Sequence, residues 1–459
     1  MRLKQEADLP FGHVLEPLHL PTLQAEAVRI AREHAGQPEA RQHTFNSHSA
    51  TSTTHIYPLA NPRYKPPETV GGIPTITKET YQMLQSNPKP PLKLPRNLPP
   101  EDKPGPYQAW SASYPSQKAL DVPPRALVAT RYVFQQATTS SRKGKDTVLV
   151  FVHGTGFCKD LFLPLLDAIL SSLGPQKSTN ITEAWMLDAI GHGETRKLNR
   201  DEGRDDSFSN YDRYFNEEDC ARDIIQFLGF FLPRQTRPSS SPTSHLPTAL
   251  APMDEAEVSK EIERDVILIG HSIGATTSMQ VAFHCPELVR SVICIEPIIV
   301  PFEFAIFDVH PLPLWALKRR DRWPDRKTAR EFFDKDRFYR AWTPEAKDLF
   351  AENGLRQEGS EVALASDRVA EALSYHGTSN GFWIPAHIDH FPPQIDVFYL
   401  CCEEPLILPV DEVHKLIGGR PNFSFAAIDG GHALHLERPV ETGGLIANFI
   451  KKLADNPKL

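Results

Sequence analysis

Short apolar runs, each closed by a Gly-rich or polar turn and followed by an amphipathic stretch, recur from residue 127 onward. Leu127–Phe134 and Thr147–Val152 read as strands, and the second is the unbroken Val/Leu/Phe type that is covered on both faces. It runs into His153-Gly154-Thr155-Gly156-Phe157. A helix near Leu161–Leu173 follows, then a strand at Ala184–Leu187 that enters Asp188-Ala189-Ile190-Gly191-His192-Gly193-Glu194-Thr195, and an amphipathic helix at Glu217–Phe231. Asp265–Ile269 leads through Gly270-His271-Ser272-Ile273-Gly274 into a helical Ala275–Phe283, and Val289–Glu296 is the next strand. Mixed helix then intervenes until strands resume at Gln394–Cys402 and Phe423–Ile428, the latter leading to Asp429-Gly430-Gly431-His432 and a terminal helix at Gly443–Ala454. Strand and helix in alternation predict an α/β fold with a mainly parallel sheet, and the long interruption at 301–393 predicts a helical cap.

Proline changes the picture at the front of the chain. Residues 1–124 hold 20 of the 42 prolines, which remove backbone donors and keep the chain extended. The expected organisation is therefore an N-terminal extension at 1–117, disordered or wrapped around the body, with short helices at Leu23–His34 and Thr77–Gln85. A single domain at 118–454 follows, carrying a Pro/Ser loop insertion at 233–262 and the 301–393 cap, and a tail at 455–459.

Composition excludes several functions. A net charge of −8 with no basic stripe argues against nucleic acid as a partner, and no apolar run of membrane-spanning length occurs. The six cysteines have neither C-x-x-C spacing nor a framework pattern, which fits reduced thiols in a reducing compartment. His387-Ile388-Asp389-His390 looks like a ligand pair that nothing completes, so no metal and no cofactor is expected. The N-terminus shows neither a secretory h-region nor an Arg-rich transit pattern.

The chemistry centres on Ser272. A serine on a strand-to-helix turn, flanked by residues small enough for a sharp bend, projects its hydroxyl above the sheet and has a helix N-terminus aimed at a developing anion. The pentapeptide also arises by chance, and a serine there can serve packing alone. Three motifs in order narrow the choice: His-Gly after a strand, Gly-His-Ser-x-Gly, and Gly431-His432 followed by Glu437-x-Pro439. Together they resemble the α/β-hydrolase superfamily over residues 118–454.

That resemblance implies a serine nucleophile, Ser272, with His432 as its base. His435, three residues on, is expected to be a packing or surface residue, and His271 and His153 to shape their turns. Two acids compete to orient His432. Glu404 follows the strand from which most superfamily members take their acid, but Cys401-Cys402-Glu403-Glu404-Pro405 lacks the usual Gly and Asp. Glu296, in Ile295-Glu296-Pro297, matches a subgroup with the acid one strand earlier, and is the preferred candidate. The oxyanion donors fall to the backbone N–H groups of Thr155 and Ile273, with Gly154 and Gly156 permitting close approach.

Ala316–Arg326 and Gly354-Leu355-Arg356 in the cap resemble a group of fungal hydrolases that includes peroxisomal enzymes of toxin and polyketide biosynthesis, the mycophenolic-acid acyl-CoA hydrolase type. This implies cleavage of an acyl-CoA thioester or an ester. Pro457-Lys458-Leu459 is a variant of the tripeptide that peroxisomal import receptors read, so the expected location is the peroxisome, and otherwise the cytoplasm. Residues 318–330 carry seven basic and two acidic side chains, either a solvated cap helix or an attractor for coenzyme A phosphates. Trp315, Trp323, Phe332, Phe333 and Phe338 form either the cap's own core or an acyl pocket. The alternatives are a carboxylesterase or lipase acting on a non-CoA ester, and a catalytically silent ligand-binding scaffold.

Overall fold

A computed structural model of the chain describes residues 36–46, 48–60, 126–134, 145–174, 180–199, 217–234, 246–253, 262–299, 311–366, 368–376, 384–385, 387–405 and 408–455, with the short pieces 63–64, 69–70, 73–74, 119–120 and 258. The helices predicted at Leu23–His34 and Thr77–Gln85, much of the 233–262 insertion and the tripeptide Pro457-Lys458-Leu459 lie outside the described residues.

Nine strands build the main sheet: β1 (Arg41–Thr44), β2 (Ser49–Pro58), β3 (Ala126–Phe134), β4 (Asp146–Val152), β5 (Ile181–Leu187), β6 (Arg264–His271), β7 (Ser291–Ile295), β8 (Asp396–Cys402) and β9 (Phe423–Ile428). Their spatial order is β1-β2-β3-β5-β4-β6-β7-β8-β9. From β5 to β9 every pairing is parallel, and β1, β2 and β3 add an antiparallel edge.

The apolar runs follow from cover on both faces. On one face Val148, Val150, Leu268, Val292, Cys294, Val397 and Tyr399 pack against helices α3 (Glu217–Gln226) and α4 (Ile273–His284). On the other, Leu149, Phe151, Ile267, Ile269, Ile293, Ile295, Phe398 and Leu400 meet α1 (Leu163–Leu173) and the C-terminal helix α11 (Pro439–Asp455). Successive residues thus enter opposite cores, each large apolar side chain contributing roughly 1.5–3 kcal/mol on leaving water.

Two features differ from expectation. The sheet begins well before residue 118, because Ser49–Pro58 of the front segment pairs along β3 and Arg41–Thr44 pairs along Ser49–Ser52. This Ser/Thr-rich hairpin carries little apolar signal, and Pro58, without an N–H, ends its second strand. The helix read as Glu217–Phe231 ends as α-helix at Gln226 and closes in a π-helical turn, Phe227–Phe231, in which the Leu232 N–H reaches the Phe227 carbonyl at 2.8 Å.

Above the C-terminal ends of the parallel strands lie cap helices α5 (Pro311–Lys318), α6 (Arg326–Lys335), α7 (Pro344–Asn353) and α8 (Arg368–His376), with a small antiparallel sheet of Arg322–Trp323, Leu355–Glu358 and Glu361–Leu364. Asp325 and Thr343 cap α6 and α7 by accepting the N–H of Thr328 and Ala346. Trp323, Phe333, Trp342 and Phe350 make the cap's own core, which also takes in Phe157 and Leu161 from the body.

Candidate active site

Strand β6 ends at His271, α4 starts at Ile273, and Ser272 between them holds φ 55° and ψ −124°. Among the described non-glycine residues only Ser272 and Glu296 have positive φ. Such backbone costs of order 1–3 kcal/mol and persists where its surroundings enforce it. Here the bend requires small neighbours: a Cβ on Gly270 would meet the Ala275 nitrogen at 2.5 Å, and one on Gly274 the His153 carbonyl at 2.6 Å. The Ser272 N–H is tied to the Ile295 carbonyl at 2.9 Å.

The structure brings Ser272, His432 and Glu296 together. His432 Nε2 lies 3.0 Å from Ser272 Oγ, and His432 Nδ1 lies 3.1 Å from Glu296 Oε2. A carboxylate only accepts, so Nδ1 carries the imidazole proton and the Nε2 lone pair faces the hydroxyl, the tautomer a base requires. Glu296 is 3% exposed, and its Oε1 takes the N–H of Cys402, the last residue of β8, at 2.5 Å. The Glu296 carboxylate thus starts from the end of β7 and is anchored on β8. Glu404 is exposed to solvent. The loop bearing His432 is held by Glu437 on the short helix α10 (Leu434–Glu437), whose carboxylate receives the N–H of Gly431 at 2.8 Å and of Ala433 at 3.3 Å, one on each side of His432.

The opposite wall is the loop after β4. The backbone N–H groups of Thr155 and Ile273 meet no hydrogen-bond acceptor among the described residues. Gly154 lies against the Ser272 turn, where a Cβ would come within 2.9 Å of Ser272 Cβ. Two neutral imidazoles shape this loop. His153 donates from Nδ1 to the Gly154 carbonyl and accepts the Ala189 N–H on Nε2; His192 donates from Nδ1 to the Ile190 carbonyl and accepts the Gly156 N–H on Nε2. Burial brings His153 down to about 4 and His192 to about 3. Asp188 accepts the N–H of Lys159 and of Glu194, and the buried Lys159 ammonium pairs with Asp160 and Glu194. From the cap, Ser374 Oγ donates to Thr155 Oγ1 at 3.2 Å, and Glu371, paired with Arg319, lies against Gly156.

The sequence alone assigns no role to His192, Asp188, Glu371 or Ser374, since each acts through a contact distant in sequence, nor to Glu437, whose bonds to Gly431 and Ala433 are local but depend on how the His432 loop folds back. Gly193 was a local signal, because a Cβ there would collide with the Asp188 carboxylate.

Beside Thr155 and Ile273 opens a cleft of about 530 Å³, open solvent at its mouth included. Tyr57, Leu127, Val152, Leu187 and Ile224 make its walls apolar, and Asp188 and Asp223 also border it. Trp323 and Phe333 lie in the cap core rather than in this cleft, while Trp315 and Phe338 are more than half exposed. His435 is fully buried against Phe162 and His271. The basic cap segment is largely spent within the cap. Arg319 pairs with Glu371, Arg322 with Glu358, and Arg330 with Asp334 and Asp348, while Arg326 donates to the carbonyls of Ala351 and Glu352. Among the described residues no cluster of His, Cys, Asp or Glu is arranged to hold a metal, and no helix is long and apolar enough to cross a membrane.

No curated protein matches the sequence. Among solved structures, the peroxisomal alpha-beta-hydrolase Lpx1 of Saccharomyces cerevisiae is similar at 16% identity, with 90% of this chain and 91% of that one covered and a TM-score of 0.60. E-2-(acetamidomethylene)succinate hydrolase (18% identity, 71% and 95% covered, TM-score 0.46) and the thioesterase domain from the curacin biosynthetic pathway (14%, 71% and 95%, 0.45) are more distant. The family model described as "Alpha/beta hydrolase family" matches residues 149–442, a span from β4 into α11 that contains the nucleophile turn, the cap and the His432 loop. By sequence and by fold, the chain belongs to the alpha/beta hydrolase family.

Proposed function

We propose that this enzyme is a serine hydrolase that cleaves an acyl ester or thioester through a covalent acyl-enzyme. The observation that carries the reading is the unbroken line from Ser272 Oγ through His432 to Glu296, with Ser272 on a strained turn. Ser272 Oγ attacks the acyl carbonyl as His432 Nε2 takes its proton, and Glu296 stabilises the imidazolium. The N–H groups of Thr155 and Ile273 receive the oxyanion. His432 then protonates the departing alkoxide or thiolate. Water, deprotonated by His432, releases the acid and restores Ser272. Every proton in this cycle moves between Ser272, His432, substrate and water.

The apolar cleft beside the two donors supports an uncharged, apolar acyl group, because Tyr57, Leu127, Val152, Leu187 and Ile224 line it and no Lys or Arg stands among its described lining residues to pair an anionic one. Resemblance to the fungal acyl-CoA hydrolases favours a thioester. The pairing of Arg319, Arg322 and Arg330 inside the cap favours the second reading, a carboxylesterase on a simple ester, since it leaves less positive charge for coenzyme A phosphates. With a polar line that includes its acid, a silent binding scaffold has less support than either. The same reading puts the enzyme in the peroxisome, supported by Pro457-Lys458-Leu459 and by the location named for the yeast neighbour.

Turnover of matched acyl-CoA and p-nitrophenyl esters by wild type and Ser272→Ala tests the chemistry. Hydrolysis abolished by Ser272→Ala is expected, and wild type inactive on both series overturns the reading. Turnover of oxygen esters alone selects the esterase. A fluorescent fusion with and without the last three residues tests location: puncta lost on truncation are expected, and a diffuse signal in both contradicts it.

A further inference from the structure

Beside the nucleophile stands a histidine that takes no proton in this cycle. We propose that His271 is a positioning residue that fixes the His432 loop over Ser272, an inference that rests on the serine hydrolase reading. Its Nε2 lies 2.9 Å from the backbone carbonyl of His432. Since a carbonyl only accepts, Nε2 carries the proton and Nδ1 is bare. Nδ1 is buried without a partner among the described residues and faces Gly154, where a Cβ would lie 2.7 Å from it. Phe157 stacks on the ring at 5.2 Å and 14°, and the His435 ring lies 4.3 Å away. Burial above all, then the neighbouring His435 and His432, keeps His271 well below the usual imidazole range, so the ring is a neutral donor.

Three parts of the site therefore meet on one ring. Ser272 is the next residue in the chain, Gly154 and Phe157 belong to the oxyanion loop, and the His432 carbonyl is its hydrogen-bond partner. Glu437 holds the His432 loop by the N–H groups on either side; His271 holds it by the carbonyl between them. Packing alone does not account for a histidine here. An apolar side chain would fill the slot between Phe157 and His435 without burying an unpaired ring nitrogen, which costs stability. Without the Nε2–H donor the His432 carbonyl loses this partner and the loop can shift. A shift of about an ångström between base and nucleophile is enough to slow chemistry about 100-fold.

The experiment is the rate of Ser272 labelling by a fluorophosphonate in the full chain, at saturating and limiting probe, for wild type, His271→Leu, His271→Asn and His271→Gln. The Gln amide nitrogen reaches about as far as the imidazole Nε2, whereas that of Asn stops a carbon short. Expected are a loss of about 30-fold or more in maximal labelling rate for Leu and Asn, half-saturating probe within about threefold, and recovery by Gln to within about fivefold of wild type. Should His271→Leu fail to fold, the comparison of Gln with Asn carries the same test. A folded Leu or Asn variant that labels at the wild-type rate overturns the inference, as does a Gln variant no faster than Asn. Wild type that is never labelled removes the hydrolase reading and this inference with it; labelling of wild type and all variants alike removes only the inference.

Discussion

Glu296 leaves the end of β7 with φ 51° and sends its carboxylate toward β8, where one oxygen takes the Cys402 N–H and the other faces His432 Nδ1. A carboxylate shorter by one methylene would not span both partners. Glu296→Asp is expected to lower kcat/KM by about 10- to 100-fold, and Glu296→Gln, which favours the wrong imidazole tautomer, by about 10³- to 10⁴-fold. Glu404→Gln, at an exposed position, is expected to stay within about twofold. Steady-state kinetics on the best ester checks the order, and a larger loss at Glu404 would move the acid to β8. Ser272 and His432 were legible because each sits in a local motif with its own glycines. Glu296 was legible only as one of two candidates, since the choice depends on which strand end supplies a spare N–H. Glu437 stood in the sequence motif without a stated role; its bonds to Gly431 and Ala433 supply one.

At the scale of elements, helix α4 approaches the sheet so closely that a Cβ on Gly274 would run into the carbonyls of Val152 and His153 at the end of β4. Gly274→Ala would force α4 away from β4 and separate the Ile273 N–H from that of Thr155. The expected result is a melting temperature lowered by about 3–5 °C, for a penalty of about 3 kcal/mol, together with loss of turnover; unchanged melting and activity would contradict this packing. The parallel strands could be read from the sequence because a strand buried on both faces is apolar without interruption. Strands β1 and β2 could not, because their polar residues resemble the proline-rich segment around them and gain their place only when β2 pairs with β3 and β1 with β2. The π-helical turn after α3 likewise leaves no trace in an apolar run, Phe227-Leu228-Gly229-Phe230-Phe231, that suits several helical registers.

Across the whole molecule, buried neutral imidazoles set how stability responds to acid. Burial lowers His55, His153 and His284 to about 4 and His192 and His435 to about 3, and it holds His271 well below the usual imidazole range. In the unfolded chain the same rings titrate near 6.5, so below that pH the unfolded state binds more protons. Their contribution is complete above about pH 6.5 and is lost as pH falls toward 4, at about 1.4 kcal/mol per pH unit for each ring. Asp188, which burial raises to about 7, opposes them, as do Glu218, Asp265 and Glu345, whose carboxyls burial also pushes up, so the six rings set the direction of the net change. A melting temperature flat above pH 7 and falling steeply between pH 6.5 and 4.5 is expected from calorimetry, with proton uptake on unfolding; a flat profile over that range would show the rings charged in the folded state. The sequence places His153, His192, His271 and His435 near turns but does not show the burial of any of the six, which depends on how the layers close over them.

The central claim is that Ser272 is a nucleophile driven by His432 and Glu296. Its most direct test is to treat the protein with a fluorophosphonate and locate the adduct by tandem mass spectrometry, alongside His432→Ala. The account predicts one adduct, on Ser272, formed more slowly by about 10³-fold or more when His432 is removed. An adduct elsewhere, or labelling of Ser272 indifferent to the loss of His432, would contradict it.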